Sequence, residues 1–390
     1  MRVSLVDPSL FTLPYDRALA HGLMQAGHDV TLHGRLPGPD DSEAGDVRLV
    51  PDFYRASNHP LMARFPAPLR LAVKGLDHAF SMTRLLRRLR RERPDVIHFQ
   101  WLPLPLVDGR LLAGFRALAP LVLTVHDTNP FNGDPTAGLQ RHGFLRCVEA
   151  FDRVIVHTAQ GRDRMRLQGI PAERLVLLPH GLLAPLPPAA NDPMRGRLTL
   201  TLFGKIKPYK GADLLIEAFA GLPGELRDQA RIRIVGKPYM DLGPLHRLVA
   251  EHDLAGQVSI EPRFVSDEEI GELFTAGVVA VFPYREIEAS GVLPYALSHG
   301  RPVIASNLGS FAETLVEGVQ GHLVPPGDVA ALRTAIAHLL QDRAFAAACS
   351  ASAWTTADQT PDWRTIGQQT ADTYRAAGEV PGGVLPVLAS

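Results

Sequence analysis

Residues 279–304 read VAVFPYREIEASGVLPYALSHGRPVI, and this stretch decides the fold that we expect for the chain. The apolar run 279–282 is typical of a buried strand, and Gly291 is expected to open a helix that stops at Gly300. A second strand is expected at 302–306. Backbone N–H groups at a helix start form an anion site when small side chains leave them accessible. We therefore expect the phosphates of a nucleotide at Ser290, Gly291, Val292 and Leu293.

The composition is that of a globular protein with more than one core. The chain has 390 residues, of which 46% are hydrophobic and 21% charged, so we expect two domains of ordinary size. The net charge of −1 gives no general attraction to nucleic acid, and we expect none as a partner. The 2 cysteines lie far apart and predict neither a disulfide framework nor a metal cluster, which fits a reducing cytoplasm. No stretch reaches the ~20 apolar residues of a membrane-spanning helix, and the N-terminus lacks the apolar core of a signal peptide.

Short apolar runs alternate with helical patterns, which predicts parallel sheets joined by right-handed crossovers. The predicted strands are residues 2–6, 29–33, 96–99, 121–125, 154–157 and 175–178, then 198–203, 232–235, 258–260, 279–282, 302–306 and 321–324. The proline-rich segment 182–195 is expected to link the two series. We predict an α/β fold of two Rossmann-like, doubly wound parallel-sheet domains that face a cleft, at residues 1–184 and 196–360. A C-terminal helix at 361–380 is expected to pack back toward the first domain, and residues 381–390 to be loosely held.

A basic loop follows the first strand of the second domain. Residues 204–211 read GKIKPYKG and lie between strand 198–203 and a helix. Ligands of such folds bind at the carboxyl ends of the strands, so these lysines are placed to neutralise a diphosphate leaving group. The loop is not a Walker loop, because the Gly-Lys-Ser/Thr ending is missing. A solvated turn is the alternative, but the anion site expected in the same domain favours the functional interpretation.

Several motifs occur together in an order that resembles the C-terminal domain of the family 4 retaining glycosyltransferases, which have the GT-B architecture. Within residues 200–330 these motifs are Gly204, Lys205, Lys210 and Gly211, then SGV at 290–292, GRPVIAS at 300–306, Glu313, and residues 318–326. The N-terminal half is similar more loosely, through GHDV at 27–30, TVHD at 124–127 and PHG at 179–181. The combination is specific, although no single motif is.

The resemblance implies that Lys205 and Lys210 bind the diphosphate of a nucleotide-sugar donor, with Gly204 and the amides of residues 290–293 beside it. The family usually has an arginine at the first of these positions. Lysine there keeps the positive charge but loses the bidentate geometry.

The glutamates of the loop depart from the family pattern. Family members usually carry two glutamates eight positions apart, but here Tyr295 takes the second position and Ile287 the first. We interpret Glu288, and after it Glu286, as the carboxylate on the sugar side, and Tyr295 as a donor to a ribose hydroxyl. A solvated acidic loop is the alternative for both glutamates. In relatives a glutamate in the place of Glu313 opens a helix near the nucleotide, and a capping role is the alternative.

The resemblance also implies roles for residues of the N-terminal half. His126 ends the strand LVLTV and would contact the donor sugar, the alternative being a histidine that caps the strand end. Asp7 and Tyr15 flank the first loop, which in relatives is glycine-rich and covers the acceptor and the phosphates. This chain has PSLF at 8–11 instead. Asp127, Trp101 and residues 129–134 are the other candidates for the acceptor side, with ordinary loops as the alternative.

A basic segment lies apart from these motifs. Residues 84–93, from Arg84 to Arg93, read RLLRRLRRER, with leucines on one helical side. A basic amphipathic helix can bind an anionic membrane surface, and a solvated helix face is the alternative.

The expected activity is transfer of a sugar from a nucleoside diphosphate sugar to a hydroxyl acceptor, with retention of configuration, as in bacterial polysaccharide or glycoconjugate synthesis. The acceptor is expected to be a saccharide or a lipid-linked molecule. No metal and no separate cofactor are expected, because cations of the chain take the place of a metal. Alternatives are an epimerase or phosphorylase on the same fold, and a non-catalytic nucleotide-sugar binding protein. The expected location is cytoplasmic, as a peripheral protein on the inner membrane face.

Overall fold

The computed structural model describes residues 1–38, 41, 45–128, 143–183, 185–188 and 194–379. The expectations for residues 129–134 and 381–390, and part of the linker prediction, fall outside the described residues. The chain divides into two compact units, unit 1 (Met1–Pro179 and Pro361–Ser390) and unit 2 (His180–Thr360). Each unit has its own parallel sheet.

Among the described residues of unit 1, the sheet has seven strands in the order β3-β2-β1-β4-β5-β6-β7, all paired in parallel. Its elements are β1 (Arg2–Val6), α1 (Leu13–Gln25), β2 (Asp29–Gly34), β3 (Arg48–Pro51), α2 (Ala67–Glu92), β4 (Val96–Phe99), α3 (Pro105–Arg116), β5 (Leu121–Val125), α4 (Phe144–Val148), β6 (Arg153–Val156), α5 (Ala159–Leu167), β7 (Leu175–Leu177) and, from the chain's end, α14 (Trp363–Gly378). The strand order reverses between β1 and β4, and ligands of doubly wound sheets bind at such a switch point.

Unit 2 contains six parallel strands in the order β10-β9-β8-β11-β12-β13. Its elements are β8 (Leu198–Phe203), α6 (Ala212–Ala220), α7 (Gly224–Arg227), β9 (Ala230–Val235), α8 (Gly243–Glu251), β10 (Val258–Glu261), α9 (Asp267–Leu273), β11 (Val278–Phe282), α10 (Leu293–Ser298), β12 (Val303–Ser306), α11 (Gly309–Thr314), β13 (Gly321–Val324), α12 (Val329–Gln341) and α13 (Arg343–Asp358). Here the strand order reverses between β8 and β11. The loops after these strands, 204–211 and 283–292, therefore lie at the switch point of the sheet.

Both sheets are buried on two faces, which explains why their strands are runs of apolar residues. Every residue of β5, β8 and β11 is buried. In unit 2 one cluster of buried side chains contains Leu200 and Val281, and a second contains Phe203 and Phe282. Helices on both sides of the sheet thus bury alternate residues of the same strands.

The C-terminal helix α14 packs on α1 within unit 1. A Cβ on Gly22 would lie 1.9 Å from the backbone oxygen of Trp363, and a Cβ on Gly367 would lie 2.3 Å from the carbonyl carbon of Gly22. Only glycine permits this approach, so the two helices meet backbone to backbone. The buried Tyr374 of α14 is 2.7 Å from His98 Nδ1 of β4, which ties the chain's end to the sheet.

Candidate functional site

The lysine loop, residues 204–211, leaves β8 at the switch point of unit 2. Gly204 and Gly211 have φ values of +112° and +68°, and residues Pro208–Lys210 form a single 3₁₀ turn between them. A side chain at these φ values would strain the backbone, so the two glycines allow the loop to fold back on itself. The turn brings Lys210 back toward the start of its own loop.

Lys210 is the central cation of this loop. Its side chain is only 6% exposed, and its Nζ lies 5.0 Å from the centroid of the Tyr284 ring. Burial lowers the pKa of Lys210 to about 7, and the neighbouring charges of Lys205 and Lys207 add to that effect. A buried ammonium held near two other lysines is destabilised until an anion arrives, so the loop is prepared for an anionic ligand.

Gly204 is the point where two parts of the site meet. A Cβ there would lie 2.6 Å from Lys210 Nζ and 3.3 Å from Val292 Cγ2. The ammonium group and the residue before α10 therefore both lie against the same glycine. The structure thus brings Lys210 near Val292, one of the four residues expected at the anion site.

Lys205 and Lys207 occupy the outer part of the loop. Their Nζ atoms lie 5.8 and 5.7 Å from the centroid of Tyr239, a ring in the loop after β9 that is about half exposed. Cation–π contacts of this length hold an ammonium near a chosen place without neutralising its charge. The solvent exposure of the lysines therefore increases from the buried Lys210 to the exposed Lys205.

The helix start differs from the expectation. Helix α10 begins at Leu293 with Val292 as its N-cap, rather than at Gly291, and it has 6 residues. The N–H of Ser290 donates to Ser310 Oγ at 3.1 Å, and the N–H of Val292 donates to Ser290 Oγ at 3.3 Å. Two of the four amides expected to bind phosphate are therefore already bonded within the chain. Fewer amides of residues 290–293 are therefore available to an anion than the sequence suggested.

Ser310 is a positioning residue that sequence reasoning missed. Its N–H donates to the carbonyl of Glu288 at 2.7 Å while its hydroxyl accepts from Ser290, so it fixes the loop at both places. The sequence offered one signal, the pair Gly309-Ser310 after the predicted strand 302–306, since glycine permits the φ of +52° that Gly309 adopts there.

The carboxylates of unit 2 differ in burial. Glu288 is 3% exposed in the loop after β11, whereas Glu286 is exposed two residues earlier. Tyr295 is buried in α10. Glu313 is exposed and lies next to the last residue of α11, so the expectation that it opens this helix is wrong: the helix opens at Gly309.

The switch point of unit 1 carries a group of rings. Trp101 follows β4 and stacks on His126, which follows β5, with ring centroids 5.4 Å apart at an angle of 15°. Tyr15 of α1 meets His126 edge to face at 4.8 Å. Burial raises the pKa of Tyr15, so its hydroxyl stays neutral. Asp127 is half-buried beside His126.

Gln100 orients His126. The Nε2–H of His126 donates to Gln100 Oε1 at 3.0 Å, and Gln100 Nε2 lies 3.4 Å from His98 Nε2. His98 also lies 2.7 Å from Thr124 Oγ1, and burial lowers its pKa to about 3, with a smaller effect from His157. A neutral His98 accepts at Nε2, so the Gln100 amide nitrogen faces it and the amide oxygen faces His126. The chain of bonds sets the tautomer of His126.

Asp7 lies beneath the surface and its role is local. Its carboxylate accepts hydrogen bonds from the N–H groups of Ser9 at 3.2 Å and Thr12 at 3.1 Å. It is fully buried and shapes the first loop in this geometry, while its role on the acceptor side stays a prediction.

No described helix is both long enough and apolar enough to cross a membrane. Within the described residues, no group of three or more His, Cys, Asp or Glu side chains is arranged to hold a metal ion.

Comparisons with known proteins agree on one family. A model described as "Glycosyl transferases group 1" matches residues 197–342, and one described as "Glycosyltransferase Family 4" matches residues 17–182. Glycogen synthase of Mycobacterium tuberculosis is 28% identical over 384 residues, which cover 92% of this chain and 89% of that protein. Phosphatidyl-myo-inositol mannosyltransferase of Mycobacterium leprae is 30% identical over 358 residues, 88% of each chain.

Solved structures share the fold. The complex of Anabaena Alr3699/HepE with UDP and glucose has a TM-score of 0.74 at 19% identity, over 96% of this chain and 100% of that one. Sucrose-phosphate synthase from Thermosynechococcus elongatus has a TM-score of 0.72 at 21% identity, over 96% and 98% of the two chains.

Proposed function

This chain belongs to the family 4 glycosyltransferases, which have the GT-B fold, and on that premise we propose that it transfers a sugar from a nucleoside diphosphate sugar to a hydroxyl group. The choice of donor rests on the burial of the Lys210 ammonium at the switch point of the sheet, in a loop that also contains Lys205. A diphosphate supplies the negative charge that this loop lacks.

The proposed reaction breaks the bond between the anomeric carbon and the diphosphate oxygen, and the electron pair leaves with the diphosphate. The acceptor oxygen forms the new bond on the same face, and its proton passes to the departing phosphate oxygen. Lys205 and Lys210 stabilise the negative charge that develops on the leaving group, which is the electrostatic contribution that dominates such reactions. Retention of configuration follows from attack on the face that the leaving group vacates.

Further side chains have proposed roles at the donor sugar. Glu288 is buried in the loop that faces Gly204 through Val292, and it would accept hydrogen bonds from hydroxyls of the donor sugar. Within unit 1, Gln100 sets the tautomer of His126, and the contact of His126 with a donor sugar stays a prediction from the resemblance. The lysines take the place that a divalent cation has in metal-dependent transferases, so the proposal includes no metal.

A thermal-shift screen tests the donor. UDP-, GDP-, ADP- and TDP-sugars are added with and without EDTA, and UDP-glucose is the first probe because HepE is a structural neighbour solved with it. A ligand at 100 times its Kd stabilises by about 2.7 kcal/mol, or about 2–4 °C in Tm. At least one nucleotide sugar should give this shift, unchanged by EDTA. A shift by none of them, or an altered free sugar released without any acceptor, would contradict the proposal.

The affinity for the diphosphate should depend on pH through Lys210. Its pKa is about 7 in the free protein and rises when an anion binds, so binding takes up a proton above that pH. UDP should therefore bind up to tenfold more weakly for each pH unit above 7. Isothermal titration at pH 6.5, 7.5 and 8.5, in buffers of different ionisation enthalpy, measures both the affinity and the proton uptake.

We also propose that α2 attaches the protein to an anionic membrane surface. Its buried face includes His78, Leu85 and Leu89. Its opposite face carries exposed apolar side chains, Leu69, Leu76 and Phe80, followed by the exposed Arg87 and Arg91. Apolar groups beside cations are the combination that binds anionic lipid.

Two of the six arginines in residues 84–93 have structural partners instead. Arg84 donates to the carbonyl of Asp52, and Arg88 donates to the Asp52 carboxylate at 3.2 Å. These two bonds hold α2 on the loop after β3. The basic surface is therefore smaller than the sequence suggested, and Arg87, Arg90, Arg91 and Arg93 supply its exposed charge.

Vesicle co-sedimentation tests the membrane proposal with matched variants. The double variant Phe80→Ser/Arg91→Glu changes α2, and Leu167→Ser/Arg166→Glu makes the same change on α5, where both side chains are exposed. Wild type and the α5 variant should sediment with vesicles of phosphatidylglycerol but not with vesicles of phosphatidylcholine. The α2 variant should lose most of this binding. Equal binding by both variants would contradict the proposal.

A further inference from the structure

The lysine loop and the loop after β11 are joined on both sides of Lys210. On one side, the N–H of Arg285 donates to the carbonyl of Tyr209 at 2.7 Å. On the other side, a Cβ on Gly211 would lie 2.1 Å from the carbonyl oxygen of Pro283, so the two backbones touch there. The backbone that carries Lys210 is therefore fixed to the loop after β11 at two points.

The side chain of Lys210 rests on the same segment. Its Nζ lies 5.0 Å from the ring centroid of Tyr284, a side chain that is fully buried. The rings of Tyr284 and Tyr209 meet edge to face, with centroids 5.9 Å apart at 85°. A packed ring cannot shift without its neighbours, so the position of the Lys210 ammonium depends on how closely the two loops are held together.

The guanidinium of Arg285 joins these loops a third time. It donates to both carboxylate oxygens of Asp213, at 2.9 and 2.6 Å. Its Nη1–H also donates to the carbonyl of Pro208 at 3.1 Å. Pro208 begins the 3₁₀ turn that contains Lys210, and Asp213 lies in the first turn of α6, the helix that follows. One planar group therefore binds the lysine turn and the helix after it in a fixed geometry.

The Arg285–Asp213 pair is charged and partly exposed. Partial burial opposes ionisation of Asp213, but the hydrogen bonds and charge of Arg285 outweigh it and lower the pKa of the carboxyl. The two side chains are 40% and 35% exposed. Exposed ion pairs contribute little to the free energy of unfolding, so the pair can be changed without loss of the fold.

We propose that Arg285 is a positioning residue of the donor site, which acts through Asp213 and the 3₁₀ turn to hold Lys210 in place for the diphosphate. This inference rests on the proposed function and adds one residue to its site. Because the guanidinium is already bonded to Asp213 and Pro208, Arg285 fixes the turn and does not bind the ligand. A lysine turn without this bond must be ordered when the ligand binds, which weakens binding.

Titration calorimetry of the whole protein with UDP, GDP, ADP and TDP tests the inference. For the nucleotide that wild type binds most tightly, Arg285→Met should raise the Kd about fivefold and Asp213→Asn about threefold. The result with Asp213→Asn is the sharper one, because removing a negative charge near an anion site would by itself lower the Kd. The double variant should match Arg285→Met within about twofold, since both changes break the same pair.

Two further variants control for charge and for loss of an ion pair. Arg263 is also 40% exposed and pairs with Glu261 and Glu269 beside the edge strand β10, so Arg263→Met should keep the Kd within about twofold of wild type. Arg285→Lys keeps the charge without the paired bonds, so it should recover less than half of the lost affinity. The Tm of every variant should stay within about 4 °C of wild type.

The outcomes separate this inference from the proposed function. Asp213→Asn binding the nucleotide as tightly as wild type, or more tightly, would overturn the positioning role, as would additive losses in the double variant. Full recovery in Arg285→Lys would mean that Arg285 attracts the anion directly, which also overturns it. All three results leave the proposed donor intact, because wild type still binds a nucleoside diphosphate. Binding of none of the four nucleotides by wild type would contradict the proposed function and this inference together.

Discussion

Residues 7–12 and residues 204–211 both follow the first strand of their sheet, β1 and β8, at the switch point of their unit. The second loop has a glycine at each end and a buried lysine, Lys210. The first has no glycine, a strained Leu10, and buried carboxyl groups at Asp7 and Asp16. The same topological place therefore carries cations in one unit and acidic and aromatic groups in the other.

The two loops differ in charge although they share a topological place. Because the site determines the ligand and the fold does not, we expect the two loops to bind ligands of different charge. Glycine lets the lysine loop approach its ligand with backbone and buried ammonium together.

The largest effect is expected from Lys210→Met. The variant removes a buried charge from the lysine loop, so UDP should bind at least about 100-fold more weakly, or about 2.7 kcal/mol. Its free energy of unfolding should rise by about 1 kcal/mol, because a buried ammonium is replaced by an apolar chain of similar length. Titration calorimetry and urea denaturation measure the two effects.

The comparison variant for Lys210→Met is Lys207→Met. Lys207 is only half-buried, so its loss should weaken the binding of UDP by less than about fivefold and leave the free energy of unfolding unchanged. If Lys210→Met bound UDP within threefold of wild type, the buried ammonium would have no part in the anion site.

Gly204→Ala should have the next largest effect. Its Cβ would lie 2.6 Å from Lys210 Nζ, so the ammonium must move, and UDP should bind about 20-fold more weakly, or about 1.8 kcal/mol. Gly27→Ala is the matched control: its φ is +84°, but nothing lies within 4 Å of the added Cβ. Both variants should lose about 1 kcal/mol of stability from backbone strain. An equal loss of UDP affinity in the two would show that strain, not the displaced lysine, is responsible.

Gln100→Met tests the switch point of unit 1, as the preceding variants test that of unit 2. It removes the oxygen that accepts from His126 Nε2–H, so the imidazole loses its fixed orientation. Donor-sugar hydrolysis should fall about fivefold with little change in UDP affinity, since a misplaced contact costs turnover more than nucleotide binding. Gln100→Glu keeps an accepting oxygen and should retain more activity than Gln100→Met. Equal activity in both variants would leave Gln100 with a packing role only.

The sequence predicted the sheets well because buried parallel strands are continuous apolar runs. The predicted strands 121–125, 198–203 and 321–324 coincide with β5, β8 and β13. It did not predict β3, a short half-buried edge strand whose composition resembles a loop. The start of α10 was misplaced because the Ser290–Ser310 hydrogen bonds that delay the helix join residues far apart in sequence.

The site was predictable as a set of loops but not as an arrangement of charges. Lys210 was identified from its place after β8, whereas its burial depends on Tyr284 and Gly204, which only the fold brings to it. Asp7 was interpreted as an acceptor-side residue because it flanks the first loop, which covers the acceptor in relatives. Its backbone partners Ser9 and Thr12 belong to the same loop, so a local turn was the simpler interpretation.

The smallest effect is expected from Asp16→Asn, which tests the acidic side of the comparison. Burial raises the pKa of the Asp16 carboxyl well above its ordinary value, and the charge of Asp7 raises it further. Asp7 accepts hydrogen bonds from the N–H groups of Ser9 and Thr12, which stabilise its charged form. Asp16 is therefore the member of the Asp7–Asp16 pair that keeps the proton. When a carboxyl group has a higher pKa in the folded state than in the unfolded state, the folded protein loses stability as pH rises above the unfolded pKa of about 3.9.

Asparagine is a neutral substitute of the same shape, so it should remove this pH dependence. The variant should match wild type near pH 4 and exceed its free energy of unfolding by about 1 kcal/mol at pH 8. Urea denaturation at pH 4, 5.5, 7 and 8 measures the difference, with Asp7→Asn as the comparison. Asp7→Asn should lose about 1–2 kcal/mol at neutral pH, because its neutral amide replaces a charged acceptor of backbone N–H groups. Parallel curves for Asp16→Asn and wild type would mean that Asp16 does not hold the proton, and the loop of unit 1 would then carry more negative charge than we infer.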